Sequence, residues 1–261
     1  MSAIFAVVAQ KGGVAKTTSV VNLAAAAAGH GWRALVVDCD PQFDATRALG
    51  WAPSKAPGTM LEVLAGQVAL EEAVVPDAVA GVDLLAGNRK LRDLEITLAP
   101  QVERERFLSR ALDGHLEAYD LVLIDCPPNL GLLTVNAIYA SRRLIVPVSM
   151  RDKASLQSLG EVQATLSMLA ERGVGVEIAA VIRTLANPRR MAYASIAAGL
   201  EQFDLPMARC EVPERAAVAN SIVVDRPVVA WRPDDASSLA YAELARELFG
   251  VREREALGAV S

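Results

Sequence analysis

The sequence predicts an α/β fold: a doubly wound, mostly parallel sheet of about seven or eight strands with helices on both faces. Three observations lead there. Short apolar runs rich in β-branched residues, at 3–9, 33–37 and 121–124, alternate with helix-length stretches. Apart from Arg33 these runs are continuously apolar, as strands buried on both faces must be. The first ends in a glycine turn and the other two in carboxylates, at the edge where an open parallel sheet gathers its ligands. The 261 residues, 52% hydrophobic with a mean hydropathy of +0.28, suffice for one large core. They read as a single domain over 1–261, with 250–261 as a frayed tail.

The first strand, residues 3–9, runs into Gln10-Lys11-Gly12-Gly13-Val14-Ala15-Lys16-Thr17-Thr18, and an Ala-rich helix follows through Ala28. Strand, glycine turn, Lys-Thr and helix form the context of a phosphate-binding P-loop, which makes the fold a P-loop NTPase. Gly12 and Gly13 let the backbone approach phosphate oxygens, and the amides of Val14, Ala15, Lys16, Thr17 and Thr18 converge on an anion at the helix start. Lys16 is expected to reach the β- and γ-phosphates, and the Thr17 hydroxyl to bind Mg²⁺. The loop departs twice from G-x-x-x-x-G-K-[ST]: Gln10 stands for the first glycine and Ala15 for the second. The Cβ of Ala15 bears on loop geometry, and altered kinetics are expected of it.

Gly29 and Gly31 stop the first helix. The second strand, 33–37, ends in Asp38-Cys39-Asp40-Pro41-Gln42, followed by Phe43-Asp44-Ala45-Thr46. An Asp before Pro also suits a helix N-cap. Residues 59–64 read as a short capped helix, 82–87 as a strand, and 89–98 and 103–116 as helices with solvated charged faces. Tyr119-Asp120 then leads an apolar run into Asp125-Cys126-Pro127-Pro128. A carboxylate in that place beside a P-loop can hold Mg²⁺ through water, and the two prolines stiffen the loop after it. A helix containing Thr134, Asn136 and Ala137 comes next. Residues 143–148 and 176–182 read as strands, with a helix over 154–172 between them whose apolar stripe faces the core. A further strand at 206–212, an apolar stretch at 228–230 and a helix over 236–249 complete the order.

The composition excludes several classes. Cys39, Cys126 and Cys210 form no C-x-x-C pair, so no zinc or iron–sulfur site is expected. No apolar run reaches membrane-spanning length, and the N-terminal run is too short and uncharged for a signal peptide, so a cytoplasmic protein is expected. The net charge is −5 and the pI about 5.2, unlike a dedicated basic nucleic-acid binder. A local patch is compatible with that balance. Between 183 and 232 lie seven arginines against five acids.

The K-G-G-x-x-K-T-[ST] loop resembles the deviant Walker A motif of the ParA/MinD ATPases, and the likeness extends from about residue 3 to 249. The D-x-D-P-Q-G-N-A-T pattern of that family is matched at Asp38, Asp40, Pro41, Gln42, Ala45 and Thr46. It is broken by Phe43 in place of Gly and Asp44 in place of Asn. The resemblance implies that Lys11 crosses a dimer interface to the partner's nucleotide, that Asp40 orients the attacking water, that Asp38 belongs to the outer shell of the magnesium, and that the segment at Pro213 packs near adenine. Lys11, Lys16 and Asp40 are thus the expected catalytic residues, and Thr17, Asp38, Asp40 and Asp125 the expected metal set.

The same resemblance implies an ATP-bound homodimer that binds DNA of the nucleoid without sequence preference. A ParB-like or other cargo-adaptor partner would stimulate its hydrolysis. Arg189, Arg190 and Arg215 are the candidate DNA contacts, although Ala217 occupies the position closest to one usual arginine. Because the loop starts ten residues into the chain, no helix-turn-helix operator domain is expected before it. Two alternatives remain on this scaffold. One is a MinD-like membrane-associated ATPase, disfavoured by the mixed charge of 251–257. The other is a small-molecule ligase.

Overall fold

The computed structural model describes residues 2–250. The chain opens with β1 (Ala3–Val7), the P-loop, α1 (Lys16–Gly29), β2 (Ala34–Asp38) and α2 (Asp44–Ala48). Then come α3 (Met60–Leu64), α4 (Leu70–Ala73), β3 (Val75–Val79), β4 (Val82–Leu85), α5 (Leu91–Leu98) and α6 (Phe107–Leu112). The second half holds β5 (Leu121–Asp125), α7 (Leu132–Ser141), β6 (Arg143–Ser149), α8 (Ala154–Glu171) and β7 (Glu177–Ala186). It ends with α9 (Met191–Leu200), β8 (Met207–Pro213), α10 (Ala216–Val223), α11 (Val228–Trp231) and α12 (Ala236–Phe249).

One eight-stranded sheet has the order β3-β4-β2-β5-β1-β6-β7-β8. All neighbours are parallel except the β3–β4 pair. Every residue of β2 and β5 is buried, which explains why both are apolar up to the aspartate that ends them. From β1 the chain winds first toward β2 and later, through β5, toward β6 on the other side. The carboxyl ends of β1, β2 and β5 therefore border the crevice where this topology binds ligands.

Two cores lie on opposite faces of the sheet. One packs α1, α11 and α12 through Leu23, Val228, Tyr241 and Leu244. The other packs α3 and α5 through α9 around Met60, Leu91, Leu108, Leu133, Leu159 and Ile196. Leu159, Val162 and Leu169 of α8 are buried, so its stripe faces the core as the periodicity predicts. No helix among the described residues is long and apolar enough to cross a membrane. The segment 251–261, which contains the expected frayed tail beyond Gly250 and the membrane alternative, lies outside the described residues.

Several boundaries differ from the sequence reading. Residues 103–116 do not form one helix. Glu103 takes a left-handed φ of 53° before a 3-10 turn at Arg104–Arg106, and α6 stops at Leu112, ahead of Gly114 at φ 77°. The helix expected from 89 begins at Leu91, because the Asn88 side chain and carbonyl accept from the Lys90 and Leu91 amides. The antiparallel strand β3 has no counterpart in that reading. It contains Pro76, which only an edge strand tolerates.

Candidate functional site

The P-loop spans the gap between the carboxyl end of β1 and the start of α1. Gly12 and Gly13 are exposed, and a Cβ at either would meet no atom within 4 Å. Their backbone edge is therefore open to a ligand. Gly13 has φ 74°, and Ala15, the last residue before α1, has φ 66° and ψ 34°. Ala15 thus holds the left-handed conformation that glycine would take at that position without steric penalty.

Two distant side chains fasten this loop. The Gln10 amide donates to Ser158 Oγ on α8 at 2.9 Å. Thr184 Oγ1 on β7 donates to the Val14 carbonyl at 2.9 Å. Neither residue stands out in the sequence, because the partners are 148 and 170 positions apart.

Lys16 is buried, and its Nζ donates to the Lys11 carbonyl at 3.1 Å. Burial lowers its pKa, while Asp125, Cys126 and Asp40 act in the opposite direction. The Lys11 side chain turns outward and pairs with Asp152 in the loop before α8. Asp152 also accepts from the Ala154 amide at 2.9 Å, which anchors that loop.

Three carboxylates line the crevice. Asp38 and Asp125 are register partners on adjacent strands. Thr17 Oγ1 donates to Asp125 Oδ2 at 2.7 Å, while Asp125 Oδ1 is buried with no hydrogen-bond partner among the described residues. Burial raises the pKa of Asp125 well above the carboxylate range, with Asp38 adding to the effect. Asp38 accepts from the Asp40 amide at 3.1 Å, the Thr46 amide at 2.8 Å and the Thr46 hydroxyl at 2.7 Å. Burial outweighs these bonds and pushes its pKa up to about 7.

Thr46 Oγ1 accepts in turn from the Gly87 amide at 2.9 Å. A Cβ at Gly87 would lie 2.8 Å from the Asp38 carboxyl carbon, so glycine is required there. Sequence reasoning missed Gly87, although its place at the end of the strand read at 82–87 was a signal. Asp40 accepts from the Gln42 amide at 2.8 Å, and burial raises its pKa. Phe43 follows at φ 47°, again a non-glycine residue where the family pattern carries Gly.

Beyond Asp125, Asn129 holds the turn into α7: its Oδ1 accepts from the Gly131 amide and its carbonyl from Thr134 Oγ1. Pro213 ends β8 in register with Ala186 of β7. Past it, Glu214 is clamped by Arg151 at 2.5 Å and by both Nε and Nη2 of Arg190 at 2.8 Å. Chiefly because of Arg190, its pKa falls to about 2. The three candidate arginines therefore differ. Arg189 is exposed and makes no ion pair among the described residues, Arg190 is held by Glu214, and Arg215 lies 3.8 Å from Asp235.

Comparison with known proteins gives this arrangement a context. Residues 2–176 match the family model described as an AAA domain. The chromosome partitioning protein ParA of Caulobacter vibrioides is 32% identical over 257 residues, covering 97% of this chain and 95% of its own. A solved structure of cobyrinic acid a,c-diamide synthase from Mycobacterium smegmatis, with bound ADP and magnesium, is similar at a TM-score of 0.81. It shows 31% identity and coverage of 97% and 98% of the two chains. The septum site-determining protein MinD of Pyrococcus horikoshii, complexed with Mg-ADP, is similar at a TM-score of 0.77 and 26% identity, with 95% and 96% covered.

Proposed function

The chain belongs to the ParA/MinD family of P-loop ATPases, and from that membership we propose that it is an ATP-driven molecular switch. In this reading ATP and magnesium drive face-to-face dimerisation, the dimer binds nucleoid DNA without sequence preference in the cytoplasm, and a cargo-bearing partner stimulates hydrolysis. The observation that carries the reading is the second loop lysine. Lys11 points outward to Asp152 at the surface and not into its own loop, where Lys16 already sits. A lysine so placed is available to a nucleotide held by another copy.

The residues fit a magnesium nucleotide. Three buried carboxyl groups face one buried ammonium, that of Lys16, and burial raises the pKa of each acid, so a bound cation would draw them into their charged form. Asp125 Oδ1, beside the Thr17 hydroxyl, is a buried acceptor without a partner among the described residues. Among the described residues no three His, Cys, Asp or Glu side chains gather to chelate an ion by themselves. This suits a cation that keeps waters and takes phosphate oxygens. Thr17 and Asp125 would hold it, and it would supply Lewis-acid neutralisation of phosphate charge.

The chain's own residues then divide the work. The 12–18 amides and Lys16 bind and orient the phosphates, and Lys11 of a second copy adds positive charge at the transferring group. Asp40 orients water. Asp38, with its oxygens engaged by Asp40 and Thr46, braces the loop that carries Asp40. Pro213 borders the base. Arg189, Arg190 and Arg215 contact DNA phosphates, for which accumulated charge suffices.

A second reading, a small-molecule ligase on the same P-loop scaffold, is favoured by the likeness to the M. smegmatis cobyrinic acid a,c-diamide synthase. Against it, Cys39 and Cys126 are buried with thiols pushed well up in pKa, and burial also raises Cys210. That burial counts against a reactive thiolate at Cys39 or Cys126. Light scattering and phosphate release test both readings. The switch requires dimers with ATP but not ADP, no nucleotide binding in Lys16→Ala, and nucleotide binding with turnover lowered about a hundredfold in Asp40→Ala. Turnover by a monomer that depends on a carboxylate substrate would replace the switch with the ligase.

A further inference from the structure

The loop lacks glycine at both ends of the G-x-x-x-x-G-K-[ST] pattern, and at both ends the fold supplies a hydrogen bond from the second half of the chain. Ala15 is held at φ 66° in the conformation L-residues avoid. The carbonyl immediately before it, on buried Val14, accepts from Thr184 Oγ1 at 2.9 Å. Thr184 is itself 0% exposed. Its only other acceptor contact among the described residues, the Val148 carbonyl, is longer at 3.3 Å, so the single hydroxyl proton favours Val14. At the loop's start the Gln10 amide is turned to Ser158 Oγ on α8, which is 5% exposed. Between the two anchors, the backbone edge of Gly12 and Gly13 remains open.

We propose that Thr184 and Ser158 are positioning residues that hold the P-loop in its phosphate-binding shape. The Thr184 bond thereby stabilises at Ala15 the backbone that glycine would permit, and the Ser158 bond fixes the start of the loop. The inference rests on the nucleotide-binding reading above. Without the Thr184 bond, Ala15 relaxes toward negative φ, and the amides of Ala15 and Lys16 swing off the phosphate. Replacing Ala15 with glycine removes the reason for that relaxation, so the two positions are coupled. A threonine needed only to pack β7 would show no such coupling.

The test measures the affinity of the full chain for a fluorescent ATP analogue with Mg²⁺. Thr184→Val keeps the volume and removes the donor, and it is expected to weaken binding about tenfold. Thr184→Ser keeps the donor and should stay within about twofold. Ala15→Gly in the Thr184→Val background should restore most of the loss. Undiminished binding by Thr184→Val, or a loss that Ala15→Gly leaves unrestored, overturns the proposal. If Thr184→Val does not fold, Ser158→Ala decides it: weakening of about threefold is expected, and unchanged affinity overturns. Absence of binding by the wild type, equal to Lys16→Ala, is a different result and overturns the nucleotide reading itself.

Discussion

Ala15 stands where the general P-loop pattern carries glycine and Phe43 where the family pattern does, and both retain glycine's left-handed backbone. The geometry of the site is thus kept while its local chemistry is strained. Ala15→Gly is expected to raise stability by up to about 1 kcal/mol, the left-handed penalty being partly offset by the greater entropy of unfolded glycine. Thermal unfolding of the ligand-free protein checks this. The buried carboxylates give a second expectation. With Asp38 at about 7 when folded, against an ordinary value near 3.9, the folded state binds the extra proton. Its stabilisation is complete below about pH 4 and is lost as pH rises through about 7. Asp40 and Asp125 are shifted in the same direction. The melting temperature without nucleotide should therefore fall between about pH 5.5 and 8, and Asp38→Asn should flatten the slope. A melting temperature that rises over that range would contradict the assigned burial. At this scale Lys11, Lys16, Thr17, Asp40 and Asp125 were legible because each sits in a contiguous motif. Ser158, Thr184 and Gly87 were not, because their roles exist only once distant strands and helices meet.

At the scale of elements, legibility follows local chemistry. The Thr59-x-x-Glu62 spacing predicts the start of α3, and both arms of the capping box form there. Thr59→Ala should therefore cost about 1 kcal/mol in chemical denaturation. That loss would be greater if the Asn88 side chain, which also donates to Thr59 Oγ1 at 3.2 Å, finds no substitute acceptor. The helices α9 and α10 gave no comparable signal. Their sequences, MAYASIAAGL and AAVANSIV, contain no charged residue and little polar–apolar alternation. The edge strand β3 was hidden for a different reason, since Pro76 argues against a strand unless its exposed edge is already known. Central strands were legible because burial on both faces leaves only one kind of sequence open to them.

At the scale of the molecule, a net charge of −5 is reconciled with a DNA-binding role only by local arrangement. Glu214 lies among the candidate phosphate contacts and occupies Arg190 and Arg151. Glu214→Gln should release both arginines, tighten binding to random-sequence DNA and steepen its log–log salt dependence by about one for each phosphate newly engaged. An unchanged slope would place those arginines off the DNA path. Lys11 is held by Asp152 in the single chain, and in the proposed dimer its engagement by a second copy would require that pair to open. The measurement that reaches the central claim most directly is binding to random-sequence duplex DNA at two salt concentrations. It is made with ATP, ADP or no nucleotide, on the wild type, Lys11→Ala and Asp40→Ala. Salt-sensitive binding with ATP alone, lost in Lys11→Ala and retained in Asp40→Ala, is expected. Binding that ignores the nucleotide, or none under any condition, would contradict the switch.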